Sequence, residues 1–358
     1  MMDERLAVRI CLRLRPLQHC RLLRWALCSA AALALALPLL LFAPPRLARL
    51  VMPLHIFPLP TMSPLAGLAV DPVLDRVFVT GAGGSVWTLD GRGGRLLGAN
   101  ADGEGVGLTG AMGVDAVHHR IYVAMMAGGV EVLDGTTGGP DVPLPFTAVT
   151  GLAVDTSANR LFLSQPAERA LTVVDATTRR VLATLTATWV PGALAVDQTL
   201  RRVYVADVGS ARLAVLDADS LTTLAGVDLG FPPIAIAVDP GTHRVYVADP
   251  LGAEVTVLAG ATGARRTAIP VGRTPSALAI NPATQHLFVT NADDDTVSVV
   301  DTRRDTVVAT VPVGRYPVTV AVNARTGRVY VANSYDQSVS VLEHDVQPLF
   351  PLLAFWRR

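Results

Sequence analysis

Between residues 64 and 345 the apolar positions fall in short runs, each closed by Asp, Asn, Gly or Pro, with no stretch at helical spacing. The runs are rich in Val, Ile, Phe and Tyr, which suit extended backbone. One run keeps returning: "DRVFVT" (75–80), "HRIYVA" (119–124), "NRLFLS" (159–164), "RRVYVA" (201–206), "HRVYVA" (243–248), "QHLFVT" (285–290) and "GRVYVA" (327–332). Shortly before each stands an acid or its amide: Asp71, Asp115, Asp155, Asp197, Asp239, Asn281 and Asn323, at spacings of 44, 40, 42, 42, 42 and 42. A fixed period near 42 residues predicts one supersecondary unit made seven times.

Each unit reads as four strands. In the sixth, "ALAI" (277–280) turns through "NPATQH" into "LFVTN" (287–291), then "ADDD" leads to "TVSVVD" (296–301) and "TRRD" to "TVVATVPVG" (306–314). Pro after the acid and Gly or Asn before the Arg suit a tight hairpin with one left-handed residue. The strands are apolar on both faces, as a sheet sandwiched between neighbours requires. The expected fold is therefore all-β: a seven-bladed β-propeller of four-stranded blades. Two residues before each acid sit Ala69, Gly113, Ala153, Ala195, Ala237, Ala279 and Ala321, always small, as crowding near a central axis demands. The seventh unit lacks a fourth strand, and "LVMPLHIFPLP" (50–60) is predicted to supply it and close the ring.

Composition adds a membrane signal. Residues 1–24 are basic, and 25–43, "WALCSAAALALALPLLLFA", run without a charge for long enough to span a bilayer. This predicts a cytoplasmic N-terminus, one transmembrane signal-anchor helix, a linker with the closing strand (44–64), an exported propeller (65–345) and an apolar tail (346–358). The alternative is a cleaved signal and a secreted propeller. Cys11, Cys20 and Cys28 all precede residue 44, so the exported part offers no disulfide and no thiolate ligand. The chain has no Lys, and beyond residue 50 its 22 Arg face 28 Asp and Glu. That acidic balance argues against nucleic acid as partner.

"GRVYVAN", "DTVSVVDT" and "VVATVPVGRYP" resemble the YVTN repeat of YncE-like seven-bladed propellers, over roughly residues 64–345. In units one to three the strand-ending Asn is read as Thr80, Ala124 or Ser164. The resemblance implies a bacterial or archaeal exported propeller, a fold that serves scaffolds, ligand binders and enzymes alike.

The recurrent Arg (Arg76, Arg120, Arg160, Arg202, Arg244, Arg328, with His286 in the sixth unit) invites a catalytic reading, yet six copies at one position argue for a brace between hairpins or blades. Asp90, Asp134, Asp175, Asp217, Asp301 and Glu343 end third strands and read as turn residues. His118, His119, His243 and His286 fall in first turns and form no metal-spaced set. No cofactor and no metal are expected. What varies between units is the face made by second-to-third-strand loops and blade crossings. Its ligand-binding candidates are Trp189, Phe231, Arg273, Arg315 and Tyr316 in crossings, with Asp207, Asp249, Asn291, Asp294, Asn333 and Tyr335 in loops. The expectation is a non-enzymatic, membrane-anchored scaffold that binds a protein, peptide, glycan or small molecule. A propeller hydrolase of lactonase type, or a quinone-dependent dehydrogenase, is the alternative, and ordinary solvated loops are the plain one.

Overall fold

The computed structural model describes residues 52–343 except 62, 101–107 and 126–128. The predicted cytoplasmic N-terminus, the transmembrane segment and the apolar tail lie outside the described residues. Among the described residues no helix is long and apolar enough to cross a membrane.

Strands dominate, in seven antiparallel sheets. Blade six shows the rule, a meander of Pro275–Asn281, His286–Asn291, Thr296–Asp301 and Thr306–Pro312. First strands pack on one another around the whole circle, and that of blade seven (Pro317–Val322) packs on that of blade one (Leu65–Asp71). The described residues form a closed seven-bladed propeller. First and third turns of every blade share one side, the turn face. Second loops and blade crossings share the other, the loop face.

Blade seven is closed as the sequence predicts. Its outermost strand is Met52–Pro58, antiparallel to Ser338–Glu343, with Met52 opposite Glu343 and Pro58 opposite Ser338. Blade two departs from the four-strand rule. Beyond Gly129–Asp134 it has only two isolated bridges, Val130 to Leu144 and Leu133 to Pro140. Pro140, Pro143 and Pro145 lack the amide a ladder needs, so this stretch cannot form a continuous strand.

Turn chemistry fixes the hairpins. The Oδ1 of each first-turn acid or amide accepts backbone amides two or three residues on, as Asp71 does from Val73 and Leu74 and Asp197 from Thr199 and Leu200. The residue before the Arg is left-handed in every first turn, from φ 53° at Asp75 to 78° at Gly327. Third-strand acids act alike: Asp175 caps Thr177 and Thr178, and Asp217 caps Asp219 and Ser220.

The core lies between blades. Leu68, Val77 and Val79 of blade one pack with Tyr330 and Val339 of blade seven, and Phe288 and Val297 of blade six with Val320 and Val329 of blade seven. The central aromatic of each second strand (Phe78, Tyr122, Phe162, Tyr204, Tyr246, Phe288, Tyr330) is at most 1% exposed. Crowding on the inner strands is direct: a Cβ at Gly113 would stand 2.3 Å from Leu152 Cδ2 in the next blade.

The recurrent Arg is a brace, and its partner is the next blade. Arg120 donates to the Ala176 carbonyl at 2.9 Å, Arg160 to Ala218 at 3.2 Å and, across the closure, Arg328 to Gly91 at 3.1 Å. Arg76 reaches Gly135 and Arg244 reaches Thr302 and Asp305. Arg202 is the exception, for it turns to Asp217 of its own blade at 3.2 Å. A cleft of about 380 Å³ opens at that seam beside Leu200, His243 and Gly260. A second row runs backwards, from the left-handed residue of one blade to the buried first-turn residue of a neighbour. His119 meets Asp71 at 2.9 Å, His243 meets Asp197 at 2.8 Å, Arg201 meets Asp155, and Asn323 donates to Asp75 at 2.7 Å. Each such bond contributes on the order of 1 kcal/mol, and together they stitch the turn face.

Candidate functional site

The eleven sequence candidates divide sharply by environment. Asp207, Asp249, Asn291 and Asn333 are the last residues of second strands, not loop residues, and at most 7% of each is exposed. Their side chains are spent on the fold. Asp207 Oδ1 accepts the Val190 amide at 3.2 Å and the Gly209 amide at 3.1 Å. Asp249 holds the Leu251 and Gly252 amides, both at 2.9 Å. Asn291 donates to Thr296 and Ser298 while accepting the Gly272 amide, and Asn333 donates to Ser338 and Ser340. Asp207 and Asn291 thus tie a crossing to the strand end, Asp249 its own loop, and Asn333 the third strand. Phe231 is 5% exposed in the core between blades four and five, and Trp189 packs on the core between blades three and four. Both rings pack on the fold, Phe231 buried and Trp189 half-buried, and burying an aromatic ring removes a large apolar surface from water.

Five candidates are brought together on the loop face of blades six and seven. Arg273 donates from its backbone amide and its Nε to Asp294, at 2.7 and 2.6 Å. Arg315 repeats the geometry on Asp336, with both distances 2.7 Å. The two arginine side chains are 72% and 67% exposed. Their hydrogen bonds hold Asp294 and Asp336 below the usual carboxylate range and push both guanidinium groups up. Exposed pairs of this kind contribute little to stability. Their effect is to orient each guanidinium, engaged through Nε.

Beside the Arg315–Asp336 pair lie stacked aromatic rings. Tyr316, in the crossing, and Tyr335, in the blade-seven loop, have centroids 4.4 Å apart and planes within 9°. Tyr316 is left-handed at φ 55°, a conformation that bulky side chains adopt only when the surroundings impose it. Here its amide donates to Asp295 at 2.8 Å and its carbonyl accepts the Ser334 amide at 2.9 Å. Tyr335 is 59% exposed. The outcome is a π platform beside the fixed Arg315–Asp336 pair, able to stack on a ring while offering donors and acceptors at its rim.

Sequence reasoning missed one participant and misplaced three positions. Leu65 pairs with Gly81 and Leu108 with Met125, as Pro317 pairs with Asn333. Gly81, Met125 and Gln165 thus take the Asn place, each one residue beyond Thr80, Ala124 and Ser164. Gln165 does the work of the Asn there, accepting from Thr172 at 2.8 Å. Counting three residues on from the central aromatic would have found it. Ser164, Ser276 and Ser334 instead donate across seams to the carbonyls of Gly192, Pro317 and Leu65. Among the described residues, no three His, Cys, Asp or Glu side chains converge as metal ligands do.

No protein-family model matches the sequence. No curated protein matches it either. Solved structures do: a chain of hydrazine synthase from Kuenenia stuttgartiensis superposes with a TM-score of 0.70 at 16% identity, over 81% of this chain and 98% of that one. At that identity the likeness is one of fold, and what it places beyond dispute is the propeller.

Proposed function

We propose that this chain is a YVTN-type propeller, anchored in the cytoplasmic membrane by residues 25–43, whose loop face is a non-enzymatic recognition surface outside the cytoplasm. The observation that carries the recognition reading is the Tyr316–Tyr335 stack beside the Arg315–Asp336 pair, with the like pair Arg273–Asp294 one blade away. The turns repeat from blade to blade, whereas, among the described residues, this sector of the loop face combines exposed aromatic surface with oriented charges. A planar ring such as a sugar or an aromatic peptide side chain fits such a platform, since stacking supplies affinity and the rim supplies selectivity. The anchor reading rests on the charge-free run 25–43 behind its basic leader. The test is a thermal-shift screen of the full chain in detergent against oligosaccharides and short peptides. We expect a ligand whose shift is lost in Tyr335→Ala and in Arg315→Ala, both melting unliganded like the parent. A ligand that shifts parent and variants equally would place recognition elsewhere.

A further inference from the structure

The turn face has a polarity that the recognition reading does not use. Met52 and Glu343 are paired neighbours, so the chain enters and leaves the propeller at one point, on the turn face of blade seven. Around that point a cleft of about 580 Å³ is lined by Arg92, Arg325 and Arg328, together with Asp75 and Glu343. Among the described residues, the exposed charged side chains in the turns of blades six, seven and one are Arg92, Arg95, Arg303, Arg304 and Arg325, with Glu343 partly exposed at the chain's exit. Most acids of the same turns are covered, Asp75 and Asp301 with less than a fifth of the side chain exposed. Asp71 is fully buried on His119, and Asp305 receives Arg244. The loop face above is mixed, with Asp293, Asp295, Asp336 and Tyr335 exposed beside Arg273 and Arg315.

We propose that this arginine sector of the turn face rests on the anionic phospholipid headgroups of the membrane, so that the loop face points away from the bilayer. The proposal rests on the anchor reading given above. Residues 44–51 are the whole leash between the apolar run and Met52, and eight residues span at most about 28 Å even when extended. A leash of that length holds the rim at Met52 within reach of the headgroups. Each arginine near an anionic surface strengthens association about fivefold. Arg92, Arg304 and Arg325 are free to do so, because none of them braces another blade. Their closest carboxylates are 3.7 Å from Arg92 and 3.4 Å from Arg304.

The full chain reconstituted in phosphatidylcholine nanodiscs, with and without phosphatidylglycerol, decides this by hydrogen exchange. The turns at 90–95, 301–305 and 323–328 are expected to exchange several-fold more slowly when phosphatidylglycerol is present. Loops 292–295 and 334–337 are expected to exchange alike in both lipids. The triple variant Arg92→Gln, Arg304→Gln, Arg325→Gln removes the difference while melting like the parent. Equal exchange of the turns in both lipids, or slowing on the loop face instead, overturns the proposal. Failure of the anchor reading looks different, for the chain is then recovered outside the discs. In that case sedimentation with phosphatidylglycerol vesicles still discriminates. Binding weakened about a hundredfold by the triple variant, at about fivefold per arginine, retains the headgroup contact, and no binding removes it.

Discussion

Tyr330 and Tyr204 occupy the same place in two blades and make different bonds. The Tyr330 hydroxyl donates to the Gly91 carbonyl of blade one at 2.6 Å, whereas the Tyr204 hydroxyl is buried without a partner. Tyr330→Phe should therefore cost about 1 kcal/mol, and Tyr204→Phe should be neutral or stabilising. Chemical denaturation of the two variants checks both signs. Alkaline pH tests the same residues together. Burial holds Tyr204 and Tyr330 well above the ordinary tyrosine value and pushes Tyr246 up to about 12. Above pH 10 the unfolded chain loses phenolic protons that the folded chain keeps, so stability falls as pH rises from 10 through 12. A melting temperature that stays level over that range would contradict the burial. The role of the recurrent Arg was legible in the sequence because repetition itself excludes a unique catalyst. The roles of Asp207, Asp249, Asn291 and Asn333 were not. A polar residue at a strand end reads alike whether its side chain faces solvent or is consumed in holding the adjoining loop.

At the scale of the element, the closing strand was legible by subtraction: six units offered a fourth strand and the seventh did not, while residues 50–60 carried an orphan β pattern. Removing Met52–Pro58 leaves Ser338–Glu343 as an open edge and uncovers Leu342 and its neighbours, so the melting temperature should drop sharply. Removing the same length from the fourth strand of blade six (Thr306–Pro312) would cut the chain between blades, so it is no control. A fair one is Val308→Ser, on the exposed side of that strand, which should change stability by less than about 0.5 kcal/mol. The outer edge of blade two was not legible, because residues 139–146 keep a strand-like alternation of apolar and polar positions. Only the spacing of three prolines, each removing a donor from the ladder, breaks it.

For the whole molecule, a period near 42 residues set the architecture, and small residues on inner strands made it a closed ring. The division into two unlike faces was only half legible. Loop variability pointed to the recognition face, but the gathering of Arg273, Arg315, Tyr316 and Tyr335 into one sector depends on blades six and seven being neighbours in register. The clustering of exposed arginines on the turn face depends on which acids the hairpins bury, and no sequence pattern reports that. All of this presupposes a ring whose closure is as sound as its other seams. Native-state hydrogen exchange of the full chain measures that directly, by comparing second-strand amides of Val329–Asn333 and Arg76–Gly81, at the closure, with those of Arg244–Asp249 and His286–Asn291, at an interior seam. The account predicts that both pairs open only with the whole propeller and exchange with the same free energy. Earlier exchange at the closure alone would contradict it.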